Sequence, residues 1–254
     1  MTSVVCVIPA RMASARFPGK PLKPLLGLPL VMHVFERCRM CDRLDRILIA
    51  TCDEEIRAAA ASYGAETVMT GDSHPGCSDR TQEAVAIAVT DLADDDLVLM
   101  VQGDEVLVTP QMLDDVIATY EKTKAPVVNI ASKLTRREDH EDPNTVKVVA
   151  GPDGRALYYS RAAIPSAFRA DSVPMYQQTG IIGFSSAFLK IFGTLEQTPL
   201  EKMEHVDMLR VIENGLPVQI VFSECETIGV DTPGDLARAE TILAADPLTK
   251  KYLG

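Results

Sequence analysis

VVCVIPARMASARFPGKPL, residues 4–22, is the stretch from which the fold follows. Its first five residues are a continuous apolar run ended by Pro9, the pattern of a strand buried on both faces of a sheet. The loop that follows gathers Arg11, Arg16 and Lys20 with Ser14, Gly19 and two prolines. Pro29 then opens a helical pattern through Val31, Val34 and Phe35 that closes near Cys41. A buried strand, a cationic loop and a helix in that order make the first β-α unit of an α/β fold. Its loop falls on the carboxyl edge of the sheet, where such folds bind ligands.

The same rhythm continues outward. RILIAT (46–51) reads as a strand, and Asp53 as the N-cap of a helix over 54–63 that Gly64 stops. AETVMT (65–70) and DLVLMVQ (96–102) read as strands, and residues 79–89 and 110–122 as helices. Four successive β-α units predict a Rossmann-like, mainly parallel sheet with right-handed crossovers and helices on both faces. After residue 125 the pattern becomes α+β. Strands are expected over 126–134, 144–150 and 155–160, the last two joined by the turn GPDG at 151–154. An irregular loop over 165–179, a strand at 180–184, a helix over 199–215, strands at 216–222 and 226–230 and a helix from Thr232 to Ala245 complete the chain. Residues 1–125 and 225–254 are thus expected to form the α/β domain, and 126–224 a smaller α+β insertion.

Composition bounds the function. The chain has 254 residues, 46% of them apolar and 24% charged, which suits one large α/β unit or a main domain with an appendage. Acids outnumber bases 36 to 25, a net charge of −11 that excludes a surface made for nucleic acid or anionic membrane. No apolar stretch approaches the roughly 20 residues needed to span a bilayer. No basic region precedes the first apolar run, so the protein is expected to be cytoplasmic with six reduced cysteines. Cys38 and Cys41 form a C-x-x-C pair at a helix end without a second pair, a packing pattern ahead of a redox or metal one. His33 reads as a partly buried helix residue, His74 as a ligand contact or a loop hydrogen-bonder, and His140, His205 and the run Asp94-Asp95-Asp96 as solvated.

Three cations with exposed amides in one loop can neutralise a polyphosphate. The loop is neither a G-x-x-x-x-G-K-[ST] nor a G-x-G-x-x-G phosphate motif, which sets aside a nicotinamide oxidoreductase. VQGDE (101–105) ends a buried strand with Asp104 at the same sheet edge, and Gly103 allows close approach of backbone to ligand. A hard carboxylate there suits Mg²⁺, a reading ahead of the plainer one as a helix cap or turn. Asp231 in GVDTPGDL (229–236) is equally readable as a second metal carboxylate or as a cap.

IPARMASARFPGKPL, HPGCSDR, VQGDE, DPNTVKVV, YYSRAAIP, LEKMEHVDMLRV and GVDTPGDL occur in this order along nearly the whole chain. Together they resemble the 3-deoxy-manno-octulosonate (KDO) cytidylyltransferases. The resemblance implies a nucleotidyltransferase in which the anomeric hydroxyl of an acidic 3-deoxy sugar attacks the α-phosphate of CTP and releases pyrophosphate. It further implies that Arg11, Ser14, Arg16 and Lys20 hold the phosphates, that Ser78, Arg80 and Gln102 belong to the nucleotide pocket, and that Asp104 and Asp231 hold Mg²⁺. Lys20, Arg11, Asp104 and Asp231 would then be catalytic, and Arg161, Gln178 and Asp207 would face the acceptor. A homodimer formed through the insertion is implied as well.

This chain departs from the family pattern in several places. H-x-S-G-T-D-R is here His74 to Arg80 with Gly76 and Cys77; H-I-G-I-Y-G-Y is Gln178 to Phe184; L-E-Q-L-R is Val206 to Arg210; and the proline of Q-G-D-E-P is Val106. Lost imidazole, phenol and carboxamide groups imply a different or smaller acceptor, with KDO itself a poorer substrate. The rival readings are a cytidylyltransferase for an amino-ulosonate, a sialic-like sugar or a phosphonate, and a non-catalytic nucleotide-binding regulator.

Overall fold

The computed structural model describes residues 2–14, 16–166, 168 and 174–253. Strand β1 (Val4–Pro9) is followed by the small hairpin β2 (Pro24–Leu25) and β3 (Leu28–Pro29), then α1 (Leu30–Cys38), β4 (Arg46–Thr51), α2 (Glu54–Ser62) and β5 (Glu66–Met69). Next come α3 (Cys77–Ala88), β6 (Leu97–Val101), α4 (Pro110–Thr123), β7 (Val127–Lys133), α5 (Arg137–Glu141), β8 (Lys147–Ala150) and β9 (Ala156–Ser160). The chain ends with β10 (Tyr176–Ser185), α6 (Ser186–Phe192), α7 (Pro199–Glu204), α8 (Met208–Glu213), β11 (Val218–Ser223), α9 (Pro233–Ala245) and α10 (Pro247–Leu253).

All strands except β2 and β3 join one sheet of order β11-β7-β10-β6-β1-β4-β5, with the β8–β9 hairpin off β10. β6, β1, β4 and β5 are parallel neighbours, the α/β arrangement expected from the four β-α units. β10 lies antiparallel between β6 and β7, and β11 is parallel to β7, so the later strands extend the same sheet. Side chains alternate along β1. Val4, Cys6 and Ile8 pack towards α1, α4 and α9, whereas Val5 and Val7 pack towards α3, α6 and α8. Burial on both faces is why residues 4–8 are apolar without interruption.

Several local expectations change. The helix expected over 199–215 is two helices, because His205 adopts φ +52° and turns the chain between them. Residues 226–230 form no strand; only an isolated bridge joins Gly229 to Glu105. β10 begins at Tyr176, inside the expected loop over 165–179, and residues 167 and 169–173 of that loop lie outside the described residues. His140 is buried with its Nε2 2.9 Å from the Ile164 carbonyl, and Asp96 is buried because its carboxylate accepts from the amides of Ser3 and Ala93. His33 is fully buried, bridging Tyr252 Oη and the Leu25 carbonyl. Cys38 and Cys41 are buried, and desolvation pushes the Cys41 thiol up to about 11, which removes the thiolate that redox chemistry needs.

Candidate active site

The carboxyl ends of β1 and β6 lie side by side where the strand order reverses, and a cleft of about 440 Å³ opens there. The loop after β1 lines it with Arg11, Ser14, Arg16 and Lys20. Local bonds shape that loop. Asp53 stands at the start of α2, but its carboxylate does not cap the helix; Oδ2 accepts from the Met12 amide at 2.7 Å and pins the loop. Gly19, at φ +70°, turns the chain so that Lys20 points back under it. Gly103 lines the cleft and is also required by packing, since a Cβ there would stand 2.9 Å from the Pro9 carbonyl oxygen of β1.

At the centre, Lys20 Nζ donates to Asp104 Oδ2 at 2.6 Å and to Asp231 Oδ1 at 3.0 Å. Arg16 completes the cluster, 2.8 Å from Asp231 Oδ2 and donating to Asn144 Oδ1. Asp231 is free for this because Thr232 is the N-cap of α9, in a reciprocal pair with Asp235. Burial lowers the Lys20 pKa, but the attractions of Asp104 and Asp231 together exceed it and the net shift is upward, so the ammonium stays charged. Asp104 Oδ1 is buried without a hydrogen-bond partner among the described residues. Next to it, Glu105 is buried with Oε1 accepting from the Gly180 amide at 2.6 Å and Oε2 unpartnered. Desolvation, with the nearby Asp104 charge, pushes Glu105 up to about 8.

The nucleotide-side expectations gather along one wall. Arg80 is 3% exposed and bonds Thr70 Oγ1 and the Gly71 carbonyl, leaving one terminal nitrogen unpartnered. Gln102 lines the cleft, and its carboxamide lies against Gly180, where a Cβ would come within 2.7 Å of it. His74 lines the same wall and pairs with Glu83. Ser78 is different: fully buried behind the wall, it donates its hydroxyl to Asp207.

A second cavity of about 320 Å³ adjoins the first, sharing Arg16, Gln102, Asp104, Asp207 and Asp231. Arg161 and Gln178, the residues expected to face the acceptor, line it. The Arg161 guanidinium, however, donates to the carbonyls of Glu204, Pro143 and His205. The Gln178 carboxamide makes no hydrogen bond among the described residues. Ile182, Phe184 and Met208 are fully buried in the core and line neither cavity, so those departures fall in the packing against the sheet. Behind Asp207, Arg210 is 2% exposed between Asp79 and Glu201 and stacks on Phe192 at 4.3 Å.

Sequence reasoning missed Glu105, Asn144 and the loop-pinning role of Asp53. Glu105 stands within VQGDE and Asn144 within DPNTVKVV, so both lay in motifs that carried a usable signal; Asp53 carries none for the loop, because its partner Met12 is 41 positions away.

The family model described as Cytidylyltransferase matches residues 5–227. The 3-deoxy-manno-octulosonate cytidylyltransferase of Syntrophobacter fumaroxidans is 38% identical over 246 residues, covering 96% of this chain and 98% of its own. The 8-amino-3,8-dideoxy-manno-octulosonate cytidylyltransferase of Shewanella oneidensis is 36% identical over 246 residues, covering 96% and 100%. Among solved structures, CMP:2-keto-3-deoxy-manno-octonic acid synthetase complexed with CTP matches with a TM-score of 0.87 and 28% identity, over 96% of this chain and 99% of that one.

Proposed function

The chain belongs to the cytidylyltransferase family, and from that membership we propose that it transfers CMP from CTP to the anomeric hydroxyl of a KDO-type 3-deoxy-ulosonic acid. The acceptor oxygen bonds to the α-phosphorus, the bond from that phosphorus to the bridging oxygen breaks, pyrophosphate leaves and the hydroxyl proton is released. The observation that carries this reading is the meeting of two cavities over Asp104 and Asp231, one walled by the cationic loop and one by polar side chains. In such transfers catalysis is mostly positioning and charge neutralisation. Arg11, Ser14, Arg16 and Lys20 receive the phosphates, Arg80 and Gln102 border the nucleotide, and Gln178 and Asp207 orient the acceptor. Arg161, held by three carbonyls, shapes the acceptor cavity from behind.

Asp104 and Asp231 fit Mg²⁺. They are hard oxygen donors, and the buried Asp104 Oδ1 has no other partner among the described residues. Among the described residues no group of three or more His, Cys, Asp or Glu is set to hold an ion, so phosphate oxygens and waters would complete the shell. When bound, the ion neutralises phosphate charge and lowers the pKa of a coordinated hydroxyl.

A second reading, favoured by the charge of the acceptor cavity, is an amino-ulosonate acceptor. Five carboxylates (Asp104, Asp142, Asp207, Asp231 and Asp235) line that cavity against two guanidiniums, both engaged by protein groups, while burial favours the neutral form of the sixth acid, Glu105. Excess negative charge favours an acceptor that carries an ammonium group.

We propose the homodimer as well. Leu157 on β9 and Phe222 on β11 support it, being 62% and 48% exposed. All six cysteines are unpaired, which supports a reducing, cytoplasmic setting, and no described helix is long and apolar enough to cross a membrane. The test of the function is pyrophosphate release with each of four NTPs against KDO, 8-amino-KDO, a sialic acid and a phosphonate. Release only with CTP and a KDO-type acid is expected. CTP binding without release for any acceptor would support the regulatory alternative instead.

A further inference from the structure

Lys20 sits where a metal ligand pair needs to be open. Its ammonium lies 2.6 Å from one carboxylate and 3.0 Å from the other, and the side chain is 11% exposed. Arg16 supplies a second cation to the free oxygen of Asp231. Two carboxylates that together would hold a divalent ion are therefore already neutralised by the two loop cations that would hold phosphates. Two of its three N–H donors are taken by the carboxylates, so a triphosphate competes with the pair for the ammonium's nearest contacts.

We propose that Lys20 is an exchangeable counter-cation. In the free enzyme it closes the Asp104–Asp231 pair, and on nucleotide binding its ammonium passes to the phosphates and leaves the pair to the divalent ion. Nucleotide and metal then bind with positive coupling, and the free enzyme holds the metal weakly. Without Lys20 the two acids would attract Mg²⁺ in the absence of nucleotide, and an ion bound alone would oppose ordered loading. The buried, unpartnered Asp104 Oδ1 fits this scheme, because the ion-free arrangement leaves one carboxylate oxygen unsatisfied until exchange occurs. The inference rests on Asp104 and Asp231 being the metal carboxylates and on the 11–20 loop being the phosphate site.

Reciprocal coupling of this kind is ordinarily about 5- to 150-fold. The experiment is calorimetric titration of nucleotide-free protein with Mn²⁺, checked by the loss of free Mn²⁺ signal in electron paramagnetic resonance. Lys20→Met is expected to bind Mn²⁺ at least about tenfold more tightly than wild type. Asp104→Asn is expected to lose that binding in either background. If Lys20→Met binds Mn²⁺ no more tightly than wild type while Asp104→Asn still abolishes binding, the exchange is wrong and the metal assignment stands. If Asp104→Asn leaves Mn²⁺ binding unchanged, the metal assignment itself fails.

A second readout begins from a variant that keeps Lys20 and so leaves no bare pair of facing acids. CTP affinity is measured in EDTA for wild type, Asp231→Asn, Lys20→Met and the double variant. Releasing Lys20 by Asp231→Asn should tighten metal-free CTP binding, and the gain should vanish when Lys20 is already replaced. An equal gain in both backgrounds would reduce the effect to plain charge repulsion and overturn the proposal.

Discussion

Replacing Gly103 by alanine should damage the site without touching a charged group. The new Cβ would stand 2.9 Å from the Pro9 carbonyl oxygen and 3.2 Å from Ala10 Cβ. Pro9 ends β1 in parallel pairing with β4, and the amide of Ala10 just after it bonds the Ala50 carbonyl, so neither can rotate aside. The nearer contact falls about half an ångström short of ordinary van der Waals separation, so β6 must move by about that much. Gln102 and Asp104 flank the moved residue. Overpacking of this kind costs about 1–3 kcal/mol of stability. Since about 1 Å of misplacement costs on the order of 10²-fold in rate, half that displacement should lower kcat/KM by about tenfold. The assays are thermal unfolding and steady-state pyrophosphate release with CTP and a KDO-type acid. Gly234→Ala in the first turn of α9 is the control, because its nearest neighbour would lie at an ordinary 3.5 Å. Wild-type melting temperature and kcat/KM in Gly103→Ala would refute the reasoning that the β1–β6 spacing sets the site.

Two further outcomes follow from buried charge. Arg210→Met leaves Asp79 and Glu201 without their shared cation, and denaturant unfolding should show a loss of about 3–5 kcal/mol. Glu204 is subject to burial that raises its pKa, but acceptance from the Arg161 amide, Ser160 and Tyr158 outweighs this and the net shift is downward. A depressed folded pKa means that its contribution is present above the ordinary carboxylate value of 4.5 and is lost as pH falls through the lower folded value. Melting temperature against pH below about 4.5 should therefore fall less steeply in Glu204→Gln than in wild type.

Much of the parallel half was legible because its signals are local. An apolar run such as VVCVI or RILIAT announces a strand buried on both faces, and residues such as Pro29, Asp53 and Gly64 mark helix boundaries even where, as at Asp53, the side chain does not cap. The placement of β10 between β6 and β7 was not legible, since strand order depends on pairings across the whole chain. The break at His205 escaped because no glycine or proline marks it; a non-glycine residue in the left-handed region is held by its surroundings and not by its own preference. In the site, the cationic loop and both carboxylates were readable as residues at strand ends. Their mutual neutralisation was not, because Lys20 and Asp231 meet only after 211 positions of chain have folded. Motif comparison also assigned Ile182, Phe184 and Met208 to the acceptor, whereas period-two alternation and helix packing turn them into the core.

The most direct measurement is ³¹P nuclear magnetic resonance of a reaction containing the enzyme, Mg²⁺, CTP and a KDO-type acid. Attack at the α-phosphorus replaces the three CTP resonances by one phosphodiester resonance and one of pyrophosphate. CDP with inorganic phosphate, or CMP with pyrophosphate and no diester, would contradict a transfer of CMP to the acceptor.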